Sequence, residues 1–320
     1  MRVIVIGGTG HIGTYLVPRL VEAGHAVTNV SRSQRQPYTP TAAWRKVEQF
    51  TLDRAAEESA GGFGKRLLEA KPDAVIDLTC YTLDSARQLA ETLRGRISHL
   101  LHCGTIWVHG VSVEVPTTEE QARVPFGEYG CRKAAIEEYL LAESRYFRLP
   151  VTILHPGHIV GKGWAPLNPL GNFNTKVFAD LANGKEICLP NLGRECVHHV
   201  HADDVSQAFV KSIANWSSAV SESFHVVSPA ALTLYGYAQG AASWFGKEAQ
   251  LKFSPWDEWK QTVTEKEAQI TWGHIARSSN CSIQKAQRLI GYQPRYRSLE
   301  AIREAVFGLI EDNAIEGLTL

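Results

Sequence analysis

The sequence predicts an α/β fold, a doubly wound parallel sheet followed by a smaller, mostly helical C-terminal lobe, and three observations carry that prediction. Short β-branched runs alternate with helix-length segments over the first 155 residues. Those runs are apolar on both faces, as strands covered by helices on each side must be. A glycine-rich turn, Gly7-Gly8-Thr9-Gly10-His11-Ile12-Gly13, joins the first run to the first helix. Right-handed crossovers between parallel strands then produce the double winding.

The elements follow in order. Residues 3–6 form the first strand, and Ile12, Leu16 and Leu20 give the helix over 12–23 one apolar face. Pro18 lies inside that helix, where it removes one hydrogen bond and can bend the axis. Strands are expected at 26–30, 47–52, 74–78, 98–102 and 151–154, with helices at 83–94 and 128–148. Beyond residue 160 the pattern turns irregular. A Gly/Pro/Asn/Trp loop covers 161–171, and a helix over 173–182 is closed by Asn183-Gly184. A strand–helix unit follows at 197–213, then a strand at 224–227 and a mainly helical remainder. Residues 1–160, with 195–228 returning to them, are expected to form one domain. Residues 161–194 and 229–320 form the lobe.

Composition narrows the function classes. The 320 residues carry 33 Lys+Arg against 33 Asp+Glu, and the pI of 7.2 argues against a dedicated nucleic-acid binder. No apolar run is long enough to span a bilayer, and the opening apolar stretch is too short for a signal peptide. The six cysteines (80, 103, 131, 188, 196 and 281) show no CxxC spacing and read as reduced thiols of a cytoplasmic protein. No metal site is expected.

The glycine turn carries the first functional signal. Gly7 permits a tight turn, Gly10 lets a pyrophosphate approach the backbone, and Gly13 permits close helix–strand packing. The helix start, with Thr9, His11 and Ile12, supplies amide donors and partial positive charge to phosphates. The GxxGxxG spacing, with Tyr129-x-x-x-Lys133 opening the long helix, resembles the extended short-chain dehydrogenase/reductase family, the NAD-dependent epimerase/dehydratase group. A Rossmann-type domain binding NAD(P) is what the resemblance implies.

The resemblance also assigns roles. Ser31 stands at the acidic position that binds the adenosine ribose of NAD, and Arg32 stands where NADP-preferring members carry arginine. A guanidinium without a competing carboxylate favours NADP(H), with NAD(H) the alternative and Arg35 close in sequence. Asp53 matches the residue that meets the adenine amino group, Leu78-Thr79-Cys80 the loop along the cofactor, and Pro156 the residue against the nicotinamide. Thr105, Tyr129 and Lys133 match the catalytic set. A phenol with a pKa of about 10 is a poor base at neutral pH. Lys133 is expected to lower that value and to hold the nicotinamide ribose. Thr105 is expected to donate to the substrate oxygen.

Departures from the family pattern shape the rest. Ile106 and Trp107 replace the Asp-Glu of sugar dehydratases, which removes that reaction. Cys103 and Gly104 replace serines, and His155 replaces an arginine. Val197 replaces the arginine that clamps a sugar-nucleotide diphosphate, and Arg194 comes three residues too early. His109, His158, Trp164, Asn168 and Asn172 are the candidates on the substrate side, amides for hydroxyls and an indole for a sugar face. His158 could equally be a structural imidazole. His198, His199, His201 and Asp203 invite a metal reading, but the resemblance explains that segment structurally. The leading expectation is an NAD(P)-dependent oxidoreductase acting on a polar carbonyl or alcohol. A sugar 4-epimerase retaining NAD is the second, and a non-catalytic or RNA-binding family member the third. The expected partner is a small-molecule substrate, without nucleic acid or membrane, in a chain that could form a homodimer.

Overall fold

The structure, a computed structural model, describes residues 1–32 and 34–318. Its centre is a sheet of seven strands, all parallel. Six of them are β1 (Arg2–Ile6), β2 (Ala26–Ser31), β3 (Glu48–Thr51), β4 (Ala74–Asp77), β5 (His99–Cys103) and β6 (Val151–Pro156). The seventh, Glu222–Val226, lies outside β6, and the order runs Glu222–Val226, β6, β5, β4, β1, β2, β3. The chain builds outward from β1 to β3 and then restarts at β4 on the other side of β1. That reversal opens a crevice at the carboxyl ends of β1 and β4, where ligands of such sheets bind.

Helices α1 (His11–Glu22), α2 (Arg54–Ser59), α3 (Phe63–Glu69), α4 (Leu83–Leu93) and α5 (Gly127–Tyr146) connect these strands. The two-residue period of a strand explains how both faces are covered. Val3 and Val5 pack with Ile12, Leu16 and Leu20 of α1. Ile4 and Ile6, pointing the other way, pack with Phe63, Leu89 and Ile136. The helix Ala202–Ala214 lies beside α1 and adds Val205, Ala208 and Phe209 to the first of these cores. Arg19 and Asp203 pin the two helices together through a two-pronged ion pair.

Several local expectations change. α1 runs through Pro18 as one helix, with the ring buried in the core. The exposed edge strand β3 is shorter than its apolar pattern, and α2 and α3 fill a stretch whose small and polar residues hid them. His199–His201 pairs with His158–Val160 outside the central sheet, and Cys196–Val197 pairs with Leu232–Thr233. Such two- and three-residue strands carry too little pattern to announce their partners. A separate hydrophobic cluster gathers Leu167, Phe178, Leu189, Tyr237, Ile302 and Val306. Alongside its helices this region also holds the parallel pair Ile187–Pro190 and Leu251–Ser254. Among the described residues no helix is long and apolar enough to cross a membrane.

Histidines are buried throughout the frame. His99 meets the Thr152 hydroxyl at 2.8 Å. His198 meets Ser228 O at 2.9 Å through Nε2 and accepts from Cys281 N–H at 3.1 Å through Nδ1, and His199 meets Leu167 O at 3.2 Å. Burial pushes His99 and His198 down to about 4 and His199 to about 3. These imidazoles therefore stay neutral in the fold, whereas in the unfolded chain they take up protons below about 6.5. Their contribution to stability is complete above pH 6.5 and is lost as the pH falls from there toward 4. Each is expected to cost about 1.4 kcal/mol per pH unit in that window. Urea unfolding followed from pH 7 to pH 5 should show this fall; a flat stability profile would contradict it.

Candidate active site

The glycine turn folds as a cradle. Gly7 leaves β1 at φ +86°, donates its N–H to Val30 O at 2.8 Å, and accepts from Gly10 N–H at 3.1 Å. A Cβ on Gly7 would collide with the Thr79 side chain, and one on Gly13 with the backbone of Gly8. Gly10 caps α1 without a side chain, so the first amides of the helix are left open. Two cavities meet over this turn. The first, about 710 Å³, is lined by Thr9, Ser31, Arg32, Asp53 and Arg54 among others. The second, about 300 Å³, is lined by His11, Ile12, Leu78, Thr105, Tyr129, Lys133 and Pro156 among others. Gly7, Gly10, Thr79 and Tyr81 line both, so they form one groove along the strand ends.

Arg32 and Arg35 are exposed at the wall of the first cavity. Asp53 caps α2, accepting from Ala56 N–H at 3.1 Å. Its neighbour Arg54 was not anticipated. The Arg54 guanidinium bonds Glu58 at 2.6 Å and both Asp77 oxygens at 2.8 and 3.0 Å, while Nη2 has no partner among the described residues. Its place directly after Asp53 at the end of β3 was the signal that could have found it. Asp77, Cys80 and His102 bring potential ligand atoms within 4.8 Å of one another. Arg54 already occupies Asp77, and the nearby ammonium of Lys133 adds a second positive charge, which opposes a cation there.

Lys133 projects from α5 into the ends of the sheet. Its Nζ donates to Cys80 O at 2.8 Å and to Cys103 O at 2.7 Å, and burial lowers its pKa. Cys80 thus meets the site through its carbonyl, while burial pushes its thiol up to about 12. One helical turn earlier, Tyr129 sets its ring edge-on to Trp107 with centroids 5.8 Å apart. The residue is 42% exposed and lines the second cavity. Burial, then the nearness of Cys103 and Tyr81, pushes this phenol above its ordinary value, with Thr105 opposing. The expected lowering by Lys133 is therefore reversed. The ammonium is engaged by two carbonyls and stands 6.0 Å from the ring centroid. Thr105, buried at the end of β5, accepts from Trp107 N–H at 3.3 Å.

The substrate-side candidates scatter. Trp164 stacks on His11 with centroids 4.0 Å apart, and Tyr38 reaches His11 Nε2 at 3.1 Å, so the indole covers the His11 ring. Burial, then Arg35, pushes His11 down to about 4, leaving it neutral under that cover. Asn168 and Asn172 are buried, with their amides engaged by each other, by loop backbone and by Thr271. His109 is buried against His225, Nε2 to Nε2 at 2.8 Å. His158 is half-buried and sits between Trp107, His199 and His274. None of Asn168, Asn172, His109 and His158 lines the two cavities. Trp107 is joined by Arg277, whose guanidinium lies 3.8 Å from the Trp107 ring centroid and 3.9 Å from that of Phe126. Burial pushes Arg277 down to about 10, and it donates to Phe126 O and Gly273 O. No local pattern marks a residue that reaches the site from so far along the chain. Val197 is wholly buried, and Arg194 lies over the Tyr235 ring at 5.7 Å.

A glycine cradle at a sheet switch point, with a Thr/Tyr/Lys set beside it, defines a dinucleotide-binding protein of the short-chain dehydrogenase/reductase type. The chain belongs to the NAD dependent epimerase/dehydratase family, whose pattern matches residues 3–226. It is 30% identical over 217 residues to the 2′-dehydrokanamycin reductase of Streptomyces kanamyceticus, a match covering 67% of this chain and 58% of that protein. The match thus spans less than two thirds of that relative. It is 24% identical over 317 residues to the chloroplast stem-loop binding protein of 41 kDa b of Arabidopsis thaliana, covering 95% of this chain and 78% of that one. Its fold superposes on the UDP-glucose 4-epimerase of Thermotoga maritima, solved with UDP-glucose, with a TM-score of 0.74 at 19% identity. That superposition covers 98% of this chain and 100% of the other.

The cradle predicts its own sensitivity. In Gly13→Ala the added methyl must enter the backbone of Gly8. A loss of about 1–3 kcal/mol in stability is expected, with weaker NADPH binding. Chemical unfolding and a fluorescence titration measure both, and unchanged values would show that the helix does not cross the turn so closely.

Proposed function

We propose that the protein is an NADP(H)-dependent oxidoreductase that reduces or forms the carbonyl of a polar, non-nucleotide substrate. The observation that carries this reading is the convergence of Thr105, Tyr129, Lys133 and Pro156 in one cavity beside the glycine cradle. Gly7 and Gly13 fit a dinucleotide-binding turn, since a Cβ on Gly7 would strike the Thr79 side chain and one on Gly13 the Gly8 backbone, and the tight turn would be lost. Arg32 and Arg35 on the cavity wall support a 2′-phosphate there.

A nicotinamide cofactor held there by the glycine turn and Lys133 would supply or take the hydride. The protein does the rest. Lys133, fixed by two carbonyls, is placed to hold the ribose hydroxyls. Tyr129, with its pKa raised, keeps its proton at neutral pH and releases it once the substrate oxygen becomes basic. Thr105 is placed to donate to the same oxygen as charge develops on it. On the substrate side, Trp107 packs edge-on to Tyr129, and an aromatic ring beside the phenol suits a hydroxylated ring. Val197, buried in the core of the lobe, supports a substrate without a diphosphate. The aminoglycoside reductase among the relatives agrees with that reading. A sugar 4-epimerase retaining NAD is the second reading, favoured by the fold it shares with UDP-glucose 4-epimerase.

Tyr129→Phe is expected to lower kcat at least about 100-fold while leaving the NADPH dissociation constant within about twofold. Undiminished turnover would remove Tyr129 from the chemistry. Arg32→Ala should weaken NADPH about tenfold, or 1.4 kcal/mol, with little change for NADH. Equal losses for both nucleotides would take Arg32 away from the 2′-phosphate. Stoichiometric NAD released on denaturing the purified protein would replace the reductase reading with the epimerase one.

A further inference from the structure

Beneath Thr105 lies a connected set of buried side chains that the reaction above does not use. The Thr105 N–H donates to His155 Nδ1 at 2.9 Å, and His155 Nε2 lies 3.1 Å from Glu137 Oε1. Arg123 closes the set, its Nη2 and Nε reaching the two Glu137 oxygens at 2.8 and 3.4 Å. His155 is wholly buried and Glu137 nearly so. An Nδ1 that accepts must be unprotonated, so the ring proton sits on Nε2, where the carboxylate accepts it. The set therefore has one self-consistent proton arrangement.

Two departures from the family pattern meet at this point. A Cβ on Gly104 would lie 2.5 Å from His155 Nδ1, so the imidazole occupies the space that a serine at 104 would need. His155 and Gly104 are a complementary pair of substitutions. Glu137 also continues a helix face. Tyr129, Lys133 and Glu137 stand at i, i+4 and i+8 on α5, so one helix carries the acid, the ammonium and the support for the third catalytic side chain.

We propose that His155 and Glu137 are positioning residues for Thr105, holding its backbone so that the hydroxyl stays beside Tyr129. The role given to Thr105 rests on the oxidoreductase reading, whereas the hydrogen-bonded unit itself does not. Asn at 155 places its Oδ1 close to the position of Nδ1 and can still accept from Thr105. Gln at 155 carries its polar atoms one bond further, toward Glu137.

The test uses the full chain, with diacetyl as the carbonyl probe and NADPH as reductant. His155→Asn should keep the Thr105 amide protected from solvent exchange by NMR and stay within about threefold of wild-type kcat. His155→Gln and Glu137→Leu should lose that protection and at least about tenfold in kcat, with the KM for NADPH within about twofold. If the variants do not fold, the imidazole ¹⁵N shifts of wild-type His155 decide. A bare Nδ1 with a protonated Nε2 supports the proposal, and a protonated Nδ1 overturns it. It is also overturned if His155→Gln retains Thr105 protection, or if protection is lost with kcat unchanged. Should even the wild type leave NADPH unoxidised with diacetyl, that result counts against this carbonyl chemistry. The exchange and ¹⁵N readouts would then decide the positioning claim by themselves.

Discussion

Two hydrogen bonds from one buried ammonium hold the candidate site in register. Lys133 leaves α5 and donates to Cys80 O beyond β4 and to Cys103 O at the end of β5. A charged donor on a neutral acceptor in a buried setting contributes about 1.5–3 kcal/mol, more than an ordinary hydrogen bond. Through these two contacts the helix is indexed to the strand ends rather than merely packed on them. Everything else on that helix face inherits the index. Tyr129 is brought over the groove, and Glu137 is brought to His155 and through it to the Thr105 amide.

The chain carries no net charge, so whatever holds a polyanionic dinucleotide must act locally. The positive potential is gathered on one side of the groove, from the open amides of α1, Arg32, Arg35 and Lys133. Arg54 adds to it only partly, because Glu58 and Asp77 offset its charge. On the substrate side the cations are withheld. Val197 is a core residue, and Arg277 is held between two aromatic rings with Nη1 and Nη2 donating to backbone carbonyls. This asymmetry underlies the proposal of a strongly anionic cofactor and a weakly charged substrate.

The parts that were legible in the sequence are those whose geometry is local. Gly7 to Gly13 form one turn, Tyr129 and Lys133 lie one helical turn apart, and Thr105 ends a strand, so register alone places them. The parts that were not legible depend on distant packing. Trp164 is turned onto the His11 ring, with Tyr38 packed against both. Asn168 and Asn172 are drawn inward by a loop that closes on itself and on Thr271. His109 is turned away by His225, a partner 116 residues later. The direction of the Tyr129 shift was hidden for the same reason. Desolvation is a property of the assembled groove, and it outweighs the hydrogen bond from Thr105 that opposes it.

The most direct test of this account is the NADPH dissociation constant of Lys133→Met, read by nucleotide fluorescence alongside a urea unfolding curve. If Lys133 indexes α5 to the strand ends and holds the ribose, affinity should fall at least about tenfold while unfolding stays cooperative. Wild-type affinity in a folded Lys133→Met protein would contradict it.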